Sequence, residues 1–336
     1  MHRGSLSNKF YQEELISSLI GGVDLGGTKI VVALVDHEGI MHARSEIRGH
    51  RGMASDAVVE RIAAVLQELF VAAGVDGVSR VGIATSGHVD HLNGRVITNS
   101  NLPGFDDYPI GRRLSELMQL PVRVDNDANA QAFAEFLFGN ARGFNPAVFV
   151  TVSTGIGAGI VLDGRLYRGR TGTAGEFGHM LVNPASTVRC GCGNYGCLMS
   201  HASGLALPQV VRQRVLQPGV ETDLDVAGLR DSEINGELIS RGLAAGDSLC
   251  RDIVNEYADY LGIGLYNLFQ VLDPAVIVVG GGLTNWGDAY VARVETRFHR
   301  MAGTMMDRPV PVRPAALKAD AAVIGAAALA LEEEAS

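Results

Sequence analysis

Two stretches of this chain share one layout, and that layout limits what the chain can become. Residues 21–36 read GGVDLGGTKIVVALVD: a short strand ending at Asp24, a Gly-Gly turn and a β-rich return. Residues 148–164 read VFVTVSTGIGAGIVLDG: a strand, a glycine turn carrying Ser and Thr, a second strand, then the Asp163–Gly164 turn. Both patterns predict a hairpin rather than a strand-to-helix unit. The copies stand about 130 residues apart, which predicts two halves of similar topology, each opening on a phosphate-sized turn.

The 336-residue length fits about two domains. Helical periodicity predicts helices over 56–73, 111–120, 203–215, 234–245, 247–271 and 319–334. RVGIA (80–84) and AVIVVGGG (275–282) read as strands, PVRVDNDANA (121–130) as a strand entering a helix near Asn129, and 219–231 as a polar loop. Strands alternating with helices predict an α/β fold. The net charge of −9, with no basic cluster, disfavours nucleic acid as a partner. The longest apolar run, 321–331, is too short to span a bilayer, so no membrane partner is expected. The N-terminus lacks the features of a signal peptide, and four cysteines, three of them clustered, make no disulfide framework. A cytoplasmic location is the expectation.

Four constellations carry chemistry. Glycine turns let backbone N–H groups approach phosphate oxygens. There are three: Asp24-Leu25-Gly26-Gly27-Thr28-Lys29, Ser153-Thr154-Gly155-Ile156-Gly157 and Gly280-Gly281-Gly282. None fits the Walker or GxGxxG pattern. Asp125-Asn126-Asp127-Ala128-Asn129 allows two readings: a helix cap, or a carboxylate placed where ligands gather in α/β sheets and able to take a hydroxyl proton. In Gly175-Glu176-Phe177-Gly178-His179, a Glu and a His between glycines suit vicinal hydroxyls. His179 also lies eleven residues before Cys190, which with Cys192 and Cys197 forms C-x-C-x4-C. One imidazole and three thiolates complete a closed, structural tetrahedral zinc (Zn2+) set.

DLGGTK, NDAN, GEFGHM, CGCGNYGC and the late VVGGG together resemble the ROK family of sugar kinases and sugar-responsive repressors, from about Gly22 to Ala330. The resemblance implies an actin-like, ribonuclease-H-like two-domain fold with ATP and sugar in the cleft between domains. It implies an N-terminal extension over 1–20, a small domain over 21–127 plus 319–336, and a large domain over 128–318 with a zinc loop at 179–197. Asp127 matches the family's catalytic base. Asn126, Gly87, Asn101, Glu176 and His179 match its sugar contacts. Asp24, Gly26, Gly27, Thr28, Lys29, Thr154, Gly155, Gly281 and Gly282 match the nucleotide side, with Mg2+ bridging the phosphates. His179, Cys190, Cys192 and Cys197 match the zinc ligands. Family habit suggests a homodimer or homotetramer.

The chain departs from the pattern at two places. Met199 stands where the family usually has a sugar-binding glutamate, and His88 stands where glucokinases tend to have an apolar residue or proline. A thioether cannot replace a carboxylate as an acceptor, so the sugar preference is expected to shift, or His88 or His201 to supply the contact. The leading expectation is an ATP-dependent hexose kinase acting at the 6-hydroxyl. The alternative is an N-acetylhexosamine kinase, for N-acetylmannosamine or N-acetylglucosamine, and a non-catalytic sugar-responsive regulator comes third. A repressor is disfavoured by the short stretch before the first glycine turn.

Overall fold

The computed structural model describes residues 19–74 and 78–332. The extension expected over 1–20 therefore falls outside the described residues, apart from Leu19 and Ile20. The chain forms two compact units. The first takes the chain up to Arg142, the excursion Leu166–Ala174 and everything from Ala319. The second takes Gly143–Arg165 and Gly175–Lys318.

In the first unit, β1 (Ile20–Leu25) and β2 (Lys29–Val35) form the expected hairpin, and β3 (Met41–Arg48) extends it antiparallel. β4 (Val81–Thr85) pairs parallel with β1, and β7 (Val122–Asn126) pairs parallel with β4. The sheet order is β3-β2-β1-β4-β7, and β5 (His88–Asp90) and β6 (Arg95–Thr98) make a separate small ribbon. Helices α1 (Ser55–Ala72), α2 (Ile110–Met118) and α3 (Asp127–Phe138) complete the unit with the C-terminal α9 (Ala321–Leu329).

Helix α9 lies unusually close to its neighbours. A Cβ on Gly82 of β4 would overlap the Ala326 carbonyl, and one on Gly325 would overlap that of Ala130 in α3. The small residues of AAVIGAAAL thus let α9 pass between sheet and helix at backbone distance. This corrects the expected boundary at 127/128. Helix α3 stays with the first unit because α9 packs against it, and the division falls after Arg142.

The second unit repeats the plan. β8 (Ala147–Val152) and β9 (Ile156–Leu162) are the second hairpin, β10 (Arg165–Leu166) lies at its edge, and β11 (Val276–Gly280) and β12 (Val312–Pro314) add parallel to β8. The order β10-β9-β8-β11-β12 matches the first sheet strand for strand. Its core is built on the long helix α7 (Ser248–Leu272), where Tyr257, Leu261 and Leu265 are fully buried, and on α8 (Asp288–Ala302).

Two helices differ from expectation. The run 203–215 is interrupted: α4 (Met199–Ala202) and a 3-10 turn at Gly204–Ala206 precede α5 (Leu207–Val215). The break follows from the Gly204 amide donating to the Ser153 carbonyl at 2.8 Å, and from Pro208, which starts the new helix. The C-terminal helix is shorter than 319–334, and its expected last residues, 333–334, lie outside the described ones. Among the described residues no helix is long and apolar enough to cross a membrane.

Candidate active site

In the first unit the site residues gather at the carboxyl ends of β1, β4 and β7. The Gly26 amide donates to the Lys29 carbonyl at 3.1 Å and closes the first glycine turn. A Cβ on Gly27 would strike the Asn101 carbonyl, so only glycine fits against that loop. Buried Asn99 is the hub beneath: its Nδ2 donates to the Ser86 carbonyl at 2.6 Å and to Thr85 Oγ1 at 3.2 Å, and its Oδ1 accepts from the Asn101 amide at 3.0 Å. Thr85 Oγ1 in turn donates to the Leu25 carbonyl at 3.2 Å. The web ties Asp24–Lys29 to Gly87 and Asn101, which the resemblance placed on opposite substrates.

Asn126 caps α3, its Oδ1 accepting from the Ala128 amide at 2.8 Å while its Nδ2 donates to the Gly87 carbonyl at 2.9 Å. The capping reading of DNDAN therefore holds for Asn126. Asp127 opens the helix, and its Oδ1 accepts from the Ala128 amide at 2.9 Å. A carboxylate at a helix N-terminus is favoured in its charged form. Asp24 is the opposite case. Burial of its carboxyl, then the negative charge of Asp127, push it up to about 7, with Lys29 pulling the other way.

Under this rim lies a clasp that no short motif announces. Buried Asp125 accepts from the Asn126 amide at 2.7 Å, from Asn129 Nδ2 at 2.9 Å and from Arg168 Nε at 2.6 Å. Arg168 also forms a bidentate pair with Glu332, Nη1 lying 3.0 Å from Oε1. His88 sits at the start of β5, and its Nε2 donates to the Thr171 carbonyl at 3.0 Å.

In the second unit, Thr154 and Gly282 line one cavity of about 970 Å3 with Leu205, Asn235, Glu237 and Leu283. Gly155 and Gly281 adjoin it. The Ser153–Gly155 turn closes by a 2.8 Å bond from the Ser153 amide to the Gly155 carbonyl, and Gly281 has φ of +95° with no room for a Cβ beside Val152. Asn235 caps α6 (Gly236–Ala244) at the cavity wall, accepting from the Glu237 and Leu238 amides at 3.1 Å each. Of these lining residues, Leu205, Asn235 and Glu237 had no signal in the sequence beyond the cap pattern N-G-E.

Glu176 and His179 flank a 3-10 turn, with Glu176 Oε2 3.8 Å from His179 Nε2. The other ring nitrogen, Nδ1, faces Cys190 Sγ at 3.6 Å, and Cys192 and Cys197 Sγ atoms are 3.7 Å apart. All four donor atoms lie within 4.8 Å of one another. A tetrahedral ion bound at about 2.3 Å to sulfur and about 2.0 Å to nitrogen needs edges of about 3.8 and 3.5 Å. The donor set has the size and chemistry for zinc. Met199 opens α4 with its methyl over Gly155 and Gly178, where a Cβ on those glycines would lie 3.6 and 2.7 Å from it. His201 is buried and stacked on Tyr260 at 4.6 Å.

The model of the ROK family matches residues 20–333. A glucokinase of Streptomyces coelicolor is 33% identical, the match covering 93% of this chain and 98% of the relative. An N-acetylmannosamine kinase of Escherichia coli O7:K1 is 30% identical, covering 93% of this chain and 98% of the relative. Among solved structures, a ROK glucokinase of Streptomyces griseus in complex with glucose and AMPPNP is 33% identical with a TM-score of 0.79, covering 94% of this chain and 100% of that one. The paired mixed sheets are those of the actin-like sugar kinase fold. The chain belongs to the ROK family, as one of its ATP-dependent sugar kinases.

Proposed function

We propose that this kinase transfers the γ-phosphoryl group of MgATP to the 6-hydroxyl of a hexose, with glucose the first candidate and Asp127 as general base. The observation that carries the reading is the setting of Asp127: it opens α3 at the end of β7, where its Oδ1 accepts from the Ala128 amide at 2.9 Å. Phosphoryl transfer asks the protein mainly for alignment and charge neutralisation. Asp127 accepts the hydroxyl proton as oxygen bonds to phosphorus. Gly26–Lys29, Thr154, Gly155, Gly281 and Gly282 take the nucleotide, whose base and ribose fill the Thr154–Glu237 cavity. Asn126, Gly87, His88, Asn101, Glu176 and His179 take the sugar.

The four-residue donor set is assigned to structural zinc. With Nδ1 on the metal, the ring of His179 is fixed in tautomer and direction, and its Nε2 is directed to Glu176. Held by His179, Cys190, Cys192 and Cys197, zinc would act through shape, since four protein donors would fill a tetrahedral set. A homodimer or homotetramer is the expected assembly.

A second reading, N-acetylmannosamine as acceptor, is favoured by Met199, whose side chain packs on Gly155 and Gly178 in place of an acidic sugar contact, and by the 30% identity to a kinase of that name. ADP release across glucose, mannose, fructose, allose, glucosamine and the two N-acetylhexosamines separates the readings. Asp127→Asn should lower turnover on the preferred sugar by about 10²–10⁴-fold while nucleotide still binds. A variant that keeps wild-type turnover removes Asp127 from the role of base.

A further inference from the structure

A buried imidazole stands against the first glycine turn. His50 follows β3 and is only 2% exposed. Its Nε2 lies 2.9 Å from the Gly26 carbonyl oxygen. A carbonyl can only accept, so the ring carries its proton on Nε2. Its Nδ1 is also buried and has no hydrogen-bond partner among the described residues, so nothing there competes for that proton. Among the described residues the ring's polar contact is thus with the turn alone.

That contact has a geometric consequence. The Gly26–Gly27 peptide is trans, the cis bond among the described residues being at Asn145–Pro146. In a planar trans unit the C=O and the following N–H point in opposite directions. Holding the Gly26 carbonyl to His50 therefore turns the Gly27 N–H away from the protein interior on the His50 side. On its other flank Gly27 is held by the Asn101 carbonyl, which occupies the place of a Cβ. A turn that binds an anion needs its N–H groups presented and its carbonyls withdrawn.

We propose that His50 is a positioning residue for the phosphate donor, withdrawing the Gly26 carbonyl and fixing the Gly27 N–H as a hydrogen-bond donor to nucleotide phosphate. The inference rests on the reading of Gly26–Lys29 as the nucleotide side. His50 itself bonds the turn and neither a proposed sugar contact nor Asp127, so its loss acts first on the nucleotide.

The test combines kinetics with direct titration of a non-hydrolysable ATP analogue on the full chain. Loss of one such bond in His50→Leu should raise the KM for ATP and weaken analogue binding by about tenfold, with the sugar KM within about twofold. His50→Gln, whose amide nitrogen reaches the Nε2 position, should recover most of that loss, whereas His50→Asn, whose amide stops near Nδ1, should not. Where His50→Leu yields no folded protein, the Gln and Asn pair decides. Unchanged analogue binding in His50→Leu or His50→Asn overturns the inference and leaves the kinase reading intact. Equal rises in both KM values overturn it in favour of a purely structural role. A wild-type chain that phosphorylates sugar but whose analogue binding leaves the Gly26–Gly27 amides unshifted by NMR defeats the reading of the turn, and the inference with it.

Discussion

Asp24 and Asp127 set two carboxyls against each other, and the surroundings push them apart in behaviour. Asp127 has a helix N-terminus to stabilise its charge, whereas Asp24 is desolvated and feels the charge of its neighbour. The folded-state value of about 7 for Asp24 lies above its ordinary 3.8. The native chain therefore holds more protons than the unfolded one between those limits. Stability from this group is full at the acid end, falls as pH rises toward 7 and is level beyond. Asp24→Asn should flatten that fall. Melting temperatures of both proteins from pH 4 to 8 measure it, and parallel curves would show that Asp24 is not the source. The residues of this rim divide by how their meaning is encoded. Asp24, Asn126 and Asp127 were legible because their chemistry depends on adjacent letters, a glycine turn or a helix start. Arg168 was not, because it meets Asp125 across 43 residues and Glu332 across 164. Nor was His50, which reaches Gly26 from 24 residues away.

Elements were legible where pattern and packing agree. Both hairpins follow from β-rich runs around glycine turns, and the Ala-rich apolar run 321–331 does form a buried helix over Ala321–Leu329. What that run conceals is how close the helix comes. Gly82 has no unusual φ to mark it, yet any side chain there meets the Ala326 carbonyl. Gly82→Ala must push α9 off the sheet, at a cost of about 1–3 kcal/mol or more. Chemical denaturation should show the midpoint falling with the slope unchanged, and a neutral effect would mean that α9 can slide. The break between α4 and α5 was hidden for a similar reason: Gly204 is held by the distant Ser153 carbonyl, a partner that helical periodicity cannot reveal. The 179–197 segment is the reverse case: the spacing of His179, Cys190, Cys192 and Cys197 in the sequence already marks the four donors that the structure brings within 4.8 Å. It has little apolar core of its own, since Cys192 and Tyr195 are exposed. On the proposed zinc assignment, metal binding and local folding are expected to be coupled. Chelation should release about one zinc per chain, lower the melting temperature and raise the sugar KM more than the ATP KM. A chain that keeps activity and melting temperature after verified metal loss would refute that role.

At the scale of the whole molecule, neither unit is a continuous stretch of chain. The first is opened at Arg142, revisited by Leu166–Ala174 and closed only from Ala319 onward. The sequence showed the internal repeat, and the observed sheets share one strand order. It could not show the interleaving, because the residues that decide it are single glycines and one arginine with partners far away. The last segment is not an appendage. Helix α9 covers Gly22 and Gly82 in β1 and β4, and Glu332 completes the Arg168 clasp below the strand that presents Asp127. In a chain ending at Lys318, the face of β1 and β4 that carries Gly22 and Gly82 would lose its cover, and Arg168 would keep one carboxylate partner in place of two. The second unit keeps its own sheet and its α7 core in that truncation. Hydrogen exchange followed by mass spectrometry should then show protection lost across β1, β4 and β7 and retained across β8 and β11. Protection retained in β1 and β4 would mean that the first sheet is stable without α9, and that the tight glycine contacts serve geometry alone.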